Sequence, residues 1–163
     1  MITAWRFVKA RYADDAFSGE ASRRRGGRWN PPGIAVVYTS STIALAALET
    51  LVHIESEVIV DFVSAACSFH EALVEKVDRA RLPEGWRSPS PPRILQDIGH
   101  EWGVSRSSAV LEVPSAVIDQ EINYLLNPEH PDFASIDFSE PQPFTLDLRL
   151  LTCPSPPLPR RVC

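Results

Sequence analysis

The chain predicts a strand-rich α+β fold in a single domain, with short helices packed on a twisted sheet, and three observations carry that prediction. Fifteen prolines cut its 163 residues into short pieces. Its β-branched and aromatic runs have strand length, and only two segments keep helical spacing. There is no internal repeat. A chain of 163 residues makes one domain and buries roughly two thirds of the surface its unfolded form exposes, so it needs no covalent staple. The domain is expected over 1–152, with a proline-rich tail over 153–163.

Taken in order, residues 5–8 (Trp-Arg-Phe-Val) read as a first strand. Residues 9–27 are polar and rich in Arg, Asp and Gly, which makes a long loop with room for a helical turn. Residues 34–39 form a β-branched run and a strand. A helix over 42–54 follows, capped by Ser40 or Ser41, with Ala44, Leu45, Ala47, Leu48, Leu51 and Val52 on one apolar arc. Residues 58–63, 65–69 and 74–77 supply further strands, and 82–86 is a turn. A second helix spans 93–102 and turns Ile94, Leu95, Ile98 and Trp102 toward the core. Residues 109–113 make a strand interrupted by Pro114, 122–130 a polar loop between apolar anchors, and 136–138 and 144–148 close the sheet. The tail holds four prolines and two arginines without periodicity, an extended arm that is disordered or used against a partner.

Composition narrows the function classes. A hydrophobic share of 44% and a charged share of 23% suit a soluble globule, and no apolar run approaches the ~20 residues of a membrane helix. The start, Met-Ile-Thr-Ala-Trp-Arg-Phe, lacks the pattern of a signal peptide, which predicts a cytoplasmic protein. Cys67, Cys153 and Cys163 are odd in number and form no Cys-x-x-Cys pair, so neither a disulfide framework nor a zinc site is expected. His53, His70, His100 and His130 have no metal-ligand spacing. A net charge of −5 argues against direct nucleic-acid binding. The local exception is Arg23, Arg24, Arg25 and Arg28, read either as a solvated loop or as a pocket for a small phosphorylated ligand.

Between Gly26 and Glu49 the chain offers a cation, an aromatic ring and a carboxylate on three successive elements. A glycine turn can carry Arg28 to a phosphate, whose oxygens match the planar guanidinium fork. Tyr38 closes a strand, and Glu49 falls at the edge of its helix's apolar arc, the place of a side chain facing a cleft. Plainer readings stand beside these: a solvated helix glutamate, a core tyrosine, and for Ser115 a turn serine after proline. No Gly-x-Ser-x-Gly elbow and no third glycine of a dinucleotide-binding loop are present.

Gly-Gly-Arg-Trp-Asn, then Val-Tyr-Thr-Ser, Ala-Leu-Ala-Ala-Leu-Glu, Glu-Val-Pro-Ser-Ala-Val and Asn-Tyr-Leu-Leu-Asn-Pro-Glu-His together resemble the RES domain family. The likeness runs from Trp5-Arg6 to Arg149, and several ordered motifs at once make it specific. The resemblance implies an ADP-ribosyltransferase-like fold and a toxin of a bacterial toxin–antitoxin pair, with an antitoxin carrying a DNA-binding domain of Xre or similar type. It implies NAD+ as the consumed substrate, with ADP-ribose passed to water, to phosphate or to a protein acceptor. It places the family's functional residues at Arg28, Tyr38, Glu49 and Ser115. Arg28 would hold the pyrophosphate, Tyr38 the nicotinamide ring, Glu49 the developing positive charge on the ribose, and Ser115 a ribose hydroxyl or the nicotinamide amide. Asn30, Asn123 and Arg6 are further candidates for the pocket wall. The reading from a different class is a binding module of the same fold that holds a nucleotide or a partner without turnover.

Overall fold

The computed structural model describes residues 1–53 and 61–150. The expected helix end at residue 54, the strand start at 58–60, and the tail with Cys153 and Cys163 lie outside the described residues. The strands are β1 (Ile2–Lys9), β2 (Val37–Ser40), β3 (Phe62–Phe69), β4 (Val74–Lys76), β5 (Val110–Pro114), β6 (Ile122–Leu126), β7 (Asp137–Phe138) and β8 (Gln142–Phe144). The α-helices are α1 (Glu20–Arg25), α2 (Ile43–Leu51) and α3 (Ile94–Ser105). The strands form one mixed sheet in the order β4-β5-β6-β2-β1-β3-β7, with β8 also pairing β3. Among the described residues only β4 and β5 run parallel.

Alternation along each strand sorts the side chains onto two faces. One face is an apolar cluster of Ala4, Val37, Cys67, Phe69, Val110, Tyr124 and Leu126. The other carries Leu111, Val113 and Leu125, over which α3 lays Leu95 and Trp102. Farther along this second face Phe7, Phe62 and Ala46 form a smaller cluster under α2. Phe7 and Phe62 stack with ring centroids 4.7 Å apart. Register places Trp5, Ser40, Asn123 and Val113 in one cross-strand row, and Tyr38, Leu125 and Leu111 in the next.

Helix α2 starts on Thr42, whose Oγ1 accepts from the Leu45 amide at 3.1 Å; the cap is therefore neither Ser40 nor Ser41, which belong to β2 and the turn after it. Its buried residues are Leu45, Ala46 and Ala47, while Ala44 and Val52 are exposed. The arc is rotated from the expected one because the small Ala46 lets the helix settle onto Phe7 and Phe62. Helix α3 buries Leu95, Trp102, Gly99 and Gly103 but leaves Ile94 exposed, against the expectation that Ile94 joins the core. The two glycines explain its closeness to the 29–34 segment that leads into β2. A Cβ on Gly99 would run into the Trp29 carbonyl, and one on Gly103 would lie 2.8 Å from Ile34.

The largest correction concerns residues 122–130. Their first half is not a loop but β6, a central strand paired on both sides by β2 and β5. Asn123 hides the strand signal because a polar residue interrupts the apolar alternation of Ile122–Leu126. The expected separate strands at 58–63 and 65–69 meet as one continuous β3 over the described part, and Pro114 is the last residue of β5 rather than a break before its end. At the far edge β8 is Gln142–Phe144, so 145–148 add no strand.

Candidate active site

The glycine turn is fastened from three sides. Gly27 donates its amide to the Asn30 carbonyl at 2.8 Å, and Gln96 on α3 donates its side-chain amide to the Gly27 carbonyl at 2.9 Å. The Tyr38 hydroxyl donates to Asn30 Oδ1 at 2.6 Å and accepts from the Trp29 amide at 3.1 Å. Only glycine fits at 27, since a Cβ there would run into that hydroxyl. Arg28 sits at the apex. Its Nη1 donates to the carbonyls of Trp86 at 2.6 Å and Ser88 at 3.0 Å, and its Nη2 to Ser88 at 3.1 Å. Three of the five guanidinium N–H donors are thus engaged by the 86–88 segment, and the other two have no acceptor among the described residues. Partial burial lowers the affinity of Arg28 for its proton below the ordinary value, and the nearby Glu49 carboxylate and Tyr38 act against that.

Glu49 projects from the second turn of α2 over the row of Trp5, Ser40 and Asn123. Its Oε1 accepts from Ser115 Oγ at 2.7 Å and from Asn123 Nδ2 at 2.7 Å. Asn123 Oδ1 in turn accepts from Ser40 Oγ at 2.7 Å, which fixes the orientation of the carboxamide. Ser115 Oγ accepts from the amides of Val117 and Ile118 at 3.1 and 3.0 Å, so its own proton is directed at Glu49. One carboxylate oxygen is held by two donors, and no protein hydrogen bond reaches Oε2 among the described residues. The held oxygen sets the aim of the free one.

A cleft of about 180 Å³ opens beside this carboxylate, lined among others by Trp5, Arg6, Tyr38, Glu49, His53 and Asn123. It lies where β1 and β2 part company: their register holds only Trp5 opposite Ser40. Arg6 fills the gap, donating through Nη1 to the Tyr38 carbonyl at 2.7 Å. Its Nε is buried and finds no partner among the described residues. Burial brings the Arg6 pKa down to about 10, and the neighbouring Cys67 acts in the opposite direction.

Arg6, Tyr38, Glu49 and Asn123 therefore share one cleft. Ser115, expected to face a pocket, is fully buried behind Glu49, and Asn30, expected in the pocket wall, is fully buried beneath the turn. Asn30 spends its amide on the carbonyls of Ser22, Pro31 and Ile34, so its place is structural support for the turn rather than the wall. Arg28 does not line the cleft; it stands beyond Tyr38, within electrostatic reach of Glu49. Sequence reasoning missed Ser40, read only as a helix cap, and Gln96, which no local signal distinguishes from any other helix glutamine. Among the described residues no helix is long and apolar enough to cross a membrane.

Comparison with known proteins agrees over most of the chain. The model of the RES domain family matches residues 3–147. "Toxin Res" of Yersinia enterocolitica is 37% identical over 90% of this chain and 97% of its own length. The "Prs ADP-ribosylating toxin" of Sphingobium sp. is 34% identical over 86% and 89% of the two chains. Among solved structures, the M. tuberculosis MbcT–MbcA toxin–antitoxin complex contains a chain with a TM-score of 0.69 at 19% identity, covering 88% of this chain and 84% of that one. At that identity the likeness is one of fold. With the arginine turn, the buried serine and the oriented glutamate all carried on one matching architecture, the chain belongs to the RES domain family.

Proposed function

We propose that this protein is the toxin of a bacterial toxin–antitoxin pair and that it cleaves NAD+ at the bond between nicotinamide and ribose. The observation that carries this reading is the Glu49 carboxylate: one oxygen is tied to Ser115 and Asn123, and the other faces a cleft lined by Arg6, with Arg28 within electrostatic reach. The relatives named as toxins, one of them as ADP-ribosylating, support it. A cleft of about 180 Å³ is smaller than the roughly 300–1,000 Å³ that encloses a drug-sized ligand, so it suits one end of a dinucleotide.

As nicotinamide departs, positive charge grows on the ribose, and a fixed carboxylate stabilises that charge more than it stabilises the ground state. Glu49 Oε2 supplies it, and it serves as general base when a nucleophile must lose a proton. The two uncommitted donors of Arg28, with Arg6 nearer the cleft, hold the pyrophosphate and fix the ribose relative to Glu49. The Tyr38 ring walls the leaving group. Ser115, Asn123 and Ser40 keep Glu49 in one orientation. The ADP-ribose goes to a protein acceptor, or to water or phosphate with depletion of NAD+. An antitoxin with a DNA-binding domain of Xre or similar type covers the cleft and silences it.

The test is loss of NAD+ by purified, antitoxin-free protein, with products resolved by mass in the presence of phosphate and clarified lysate. Glu49→Gln keeps the shape and removes the charge, and turnover is expected to fall by roughly 10²–10³. Full activity in that variant, or NAD+ bound and returned intact by the parent protein, sinks the proposal; the second result favours a binding module.

A further inference from the structure

Tyr38 presents its hydroxyl to the glycine turn rather than to the cleft, and what it does there goes beyond supplying an aromatic wall. The hydroxyl has two partners, and they lie on the turn just after Arg28. It accepts from the Trp29 amide at 3.1 Å and donates to Asn30 Oδ1 at 2.6 Å. The Asn30 carboxamide cannot be turned the other way, because its nitrogen faces three carbonyls, those of Ser22, Pro31 and Ile34, at 2.9 to 3.2 Å. Its oxygen must therefore receive the tyrosine proton. Asn30 has no exposed surface, and Gly27 lies so close that a Cβ there would meet the hydroxyl. Burial raises the Tyr38 pKa, with the Trp29 amide, Arg28 and Asn30 acting in the opposite direction, so the hydroxyl stays a donor at any physiological pH.

We propose that the Tyr38 hydroxyl, locked to Asn30 and to the Trp29 amide, is a latch that positions Arg28 for the phosphate of its ligand. Arg28 has no backbone tether of its own in this set: the bonds fall on Gly27 before it and on Trp29 and Asn30 after it. Fixing both neighbours fixes the direction in which the guanidinium leaves the backbone. Its two free donors then meet a phosphate without a reordering cost at binding. The inference rests on the reading of Arg28 as the cation that holds the pyrophosphate. It gives Tyr38 a positioning role separate from any contact its ring makes.

Tyr38→Phe tests it, since the ring stays and only the hydroxyl goes. Two readouts are taken: hydrogen exchange at the Trp29 amide against that of Leu125 in central β6, and the KM and kcat for NAD+. Loss of one hydrogen bond predicts about tenfold faster exchange at Trp29 with Leu125 unchanged, and a KM about tenfold higher with kcat within about twofold. Gln96→Met, which removes the other side-chain tether of the turn, is expected to raise KM in the same direction. A hydroxyl that served the fold alone would lower the melting temperature and leave KM where it was, and that result overturns the proposal. So does unchanged exchange at Trp29. If the parent protein consumes no NAD+, the functional reading fails separately, and the exchange measurement still decides whether the latch exists.

Discussion

β1 meets its two neighbours in different ways. Along β3 every residue from Ile2 to Lys9 has a partner, and the side chains beneath this seam include Ala4, Cys67 and Phe69, all but sealed from water. Along β2 the register holds Trp5 opposite Ser40 and then opens, and the gap contains a guanidinium, a cleft and the approach to a carboxylate. The closed seam satisfies its backbone groups with each other. In the open seam the Tyr38 carbonyl depends on a side chain, Arg6, for its hydrogen bond. The difference teaches where a sheet can hold chemistry: stability comes from the seam that closes, and polar residues gather where the ladder stops.

Breaking the closed seam should produce the largest effect. Phe69 is fully buried, packs edge to face on Tyr124 with centroids 5.4 Å apart, and sits opposite Ile2. Phe69→Ala is expected to cost about 3–5 kcal/mol in denaturant unfolding, with NAD+ loss per folded molecule unchanged. Glu49→Gln is its counterpart at the open seam. The expected loss of turnover corresponds to about 3–4 kcal/mol of barrier. Unfolding stability should move by less than about 1 kcal/mol, and a larger shift would mean that Glu49 serves the fold as much as the site.

Alkaline titration sharpens the contrast. Burial pushes the Cys67 thiol up from 9.0 to about 12, with the Ala4 backbone, Thr39 and Arg6 acting against the rise. The folded state keeps a proton that the unfolded chain gives up, so this contribution is complete below pH 9 and is lost as pH rises through about 12. At pH 10 the loss is on the order of 1 kcal/mol, and Cys67→Ala should flatten that part of the stability profile. A profile equally steep in the variant would locate the alkaline sensitivity elsewhere. The smallest effect is expected at Thr42, whose hydroxyl caps α2 and also donates to Glu121 Oε2 at 3.0 Å. Thr42→Ala should cost about 1 kcal/mol in thermal or denaturant unfolding. Because α2 carries Glu49, a loss of activity larger than the loss of stability would show that the helix start is coupled to the site.

The same contrast explains which parts of the molecule could be read from the sequence. Apolar strands announce themselves: β2 and β5 stand where β-branched runs predict them, and β3 falls on the strand segments expected at 58–63 and 65–69. β6 was illegible because its Asn123 faces the open seam, where a polar side chain is needed to hold Glu49, and because Asn127 and Pro128 follow it directly. The arcs of α2 and α3 were legible as helices but not in their rotation. Ala46 and Gly99 are small residues whose importance lies in what they allow to approach, and no periodicity weighs that.

For the site, the sequence named the residue types. Arg28, Tyr38 and Glu49 stood out through turn chemistry and spacing, and Ser115 through its place after a strand. Their partnerships were not legible, since Glu49 is 66 residues from Ser115 and 74 from Asn123. Side chains so far apart in the chain meet only through strand order, and that order places β6 between β2 and β5.

The sequence by itself thus determined the class of fold, the family and the chemical parts, because periodicity, turn residues and ordered motifs are local properties of the chain. The tertiary structure alone decided that Ser115 and Asn30 are buried supports, that Arg28 spends most of its donors on the 86–88 segment, and that one oxygen of Glu49 has no hydrogen bond among the described residues. Those outcomes depend on which backbone carbonyls and amides converge in space, and hydrogen bonds between distant segments leave no trace in local pattern.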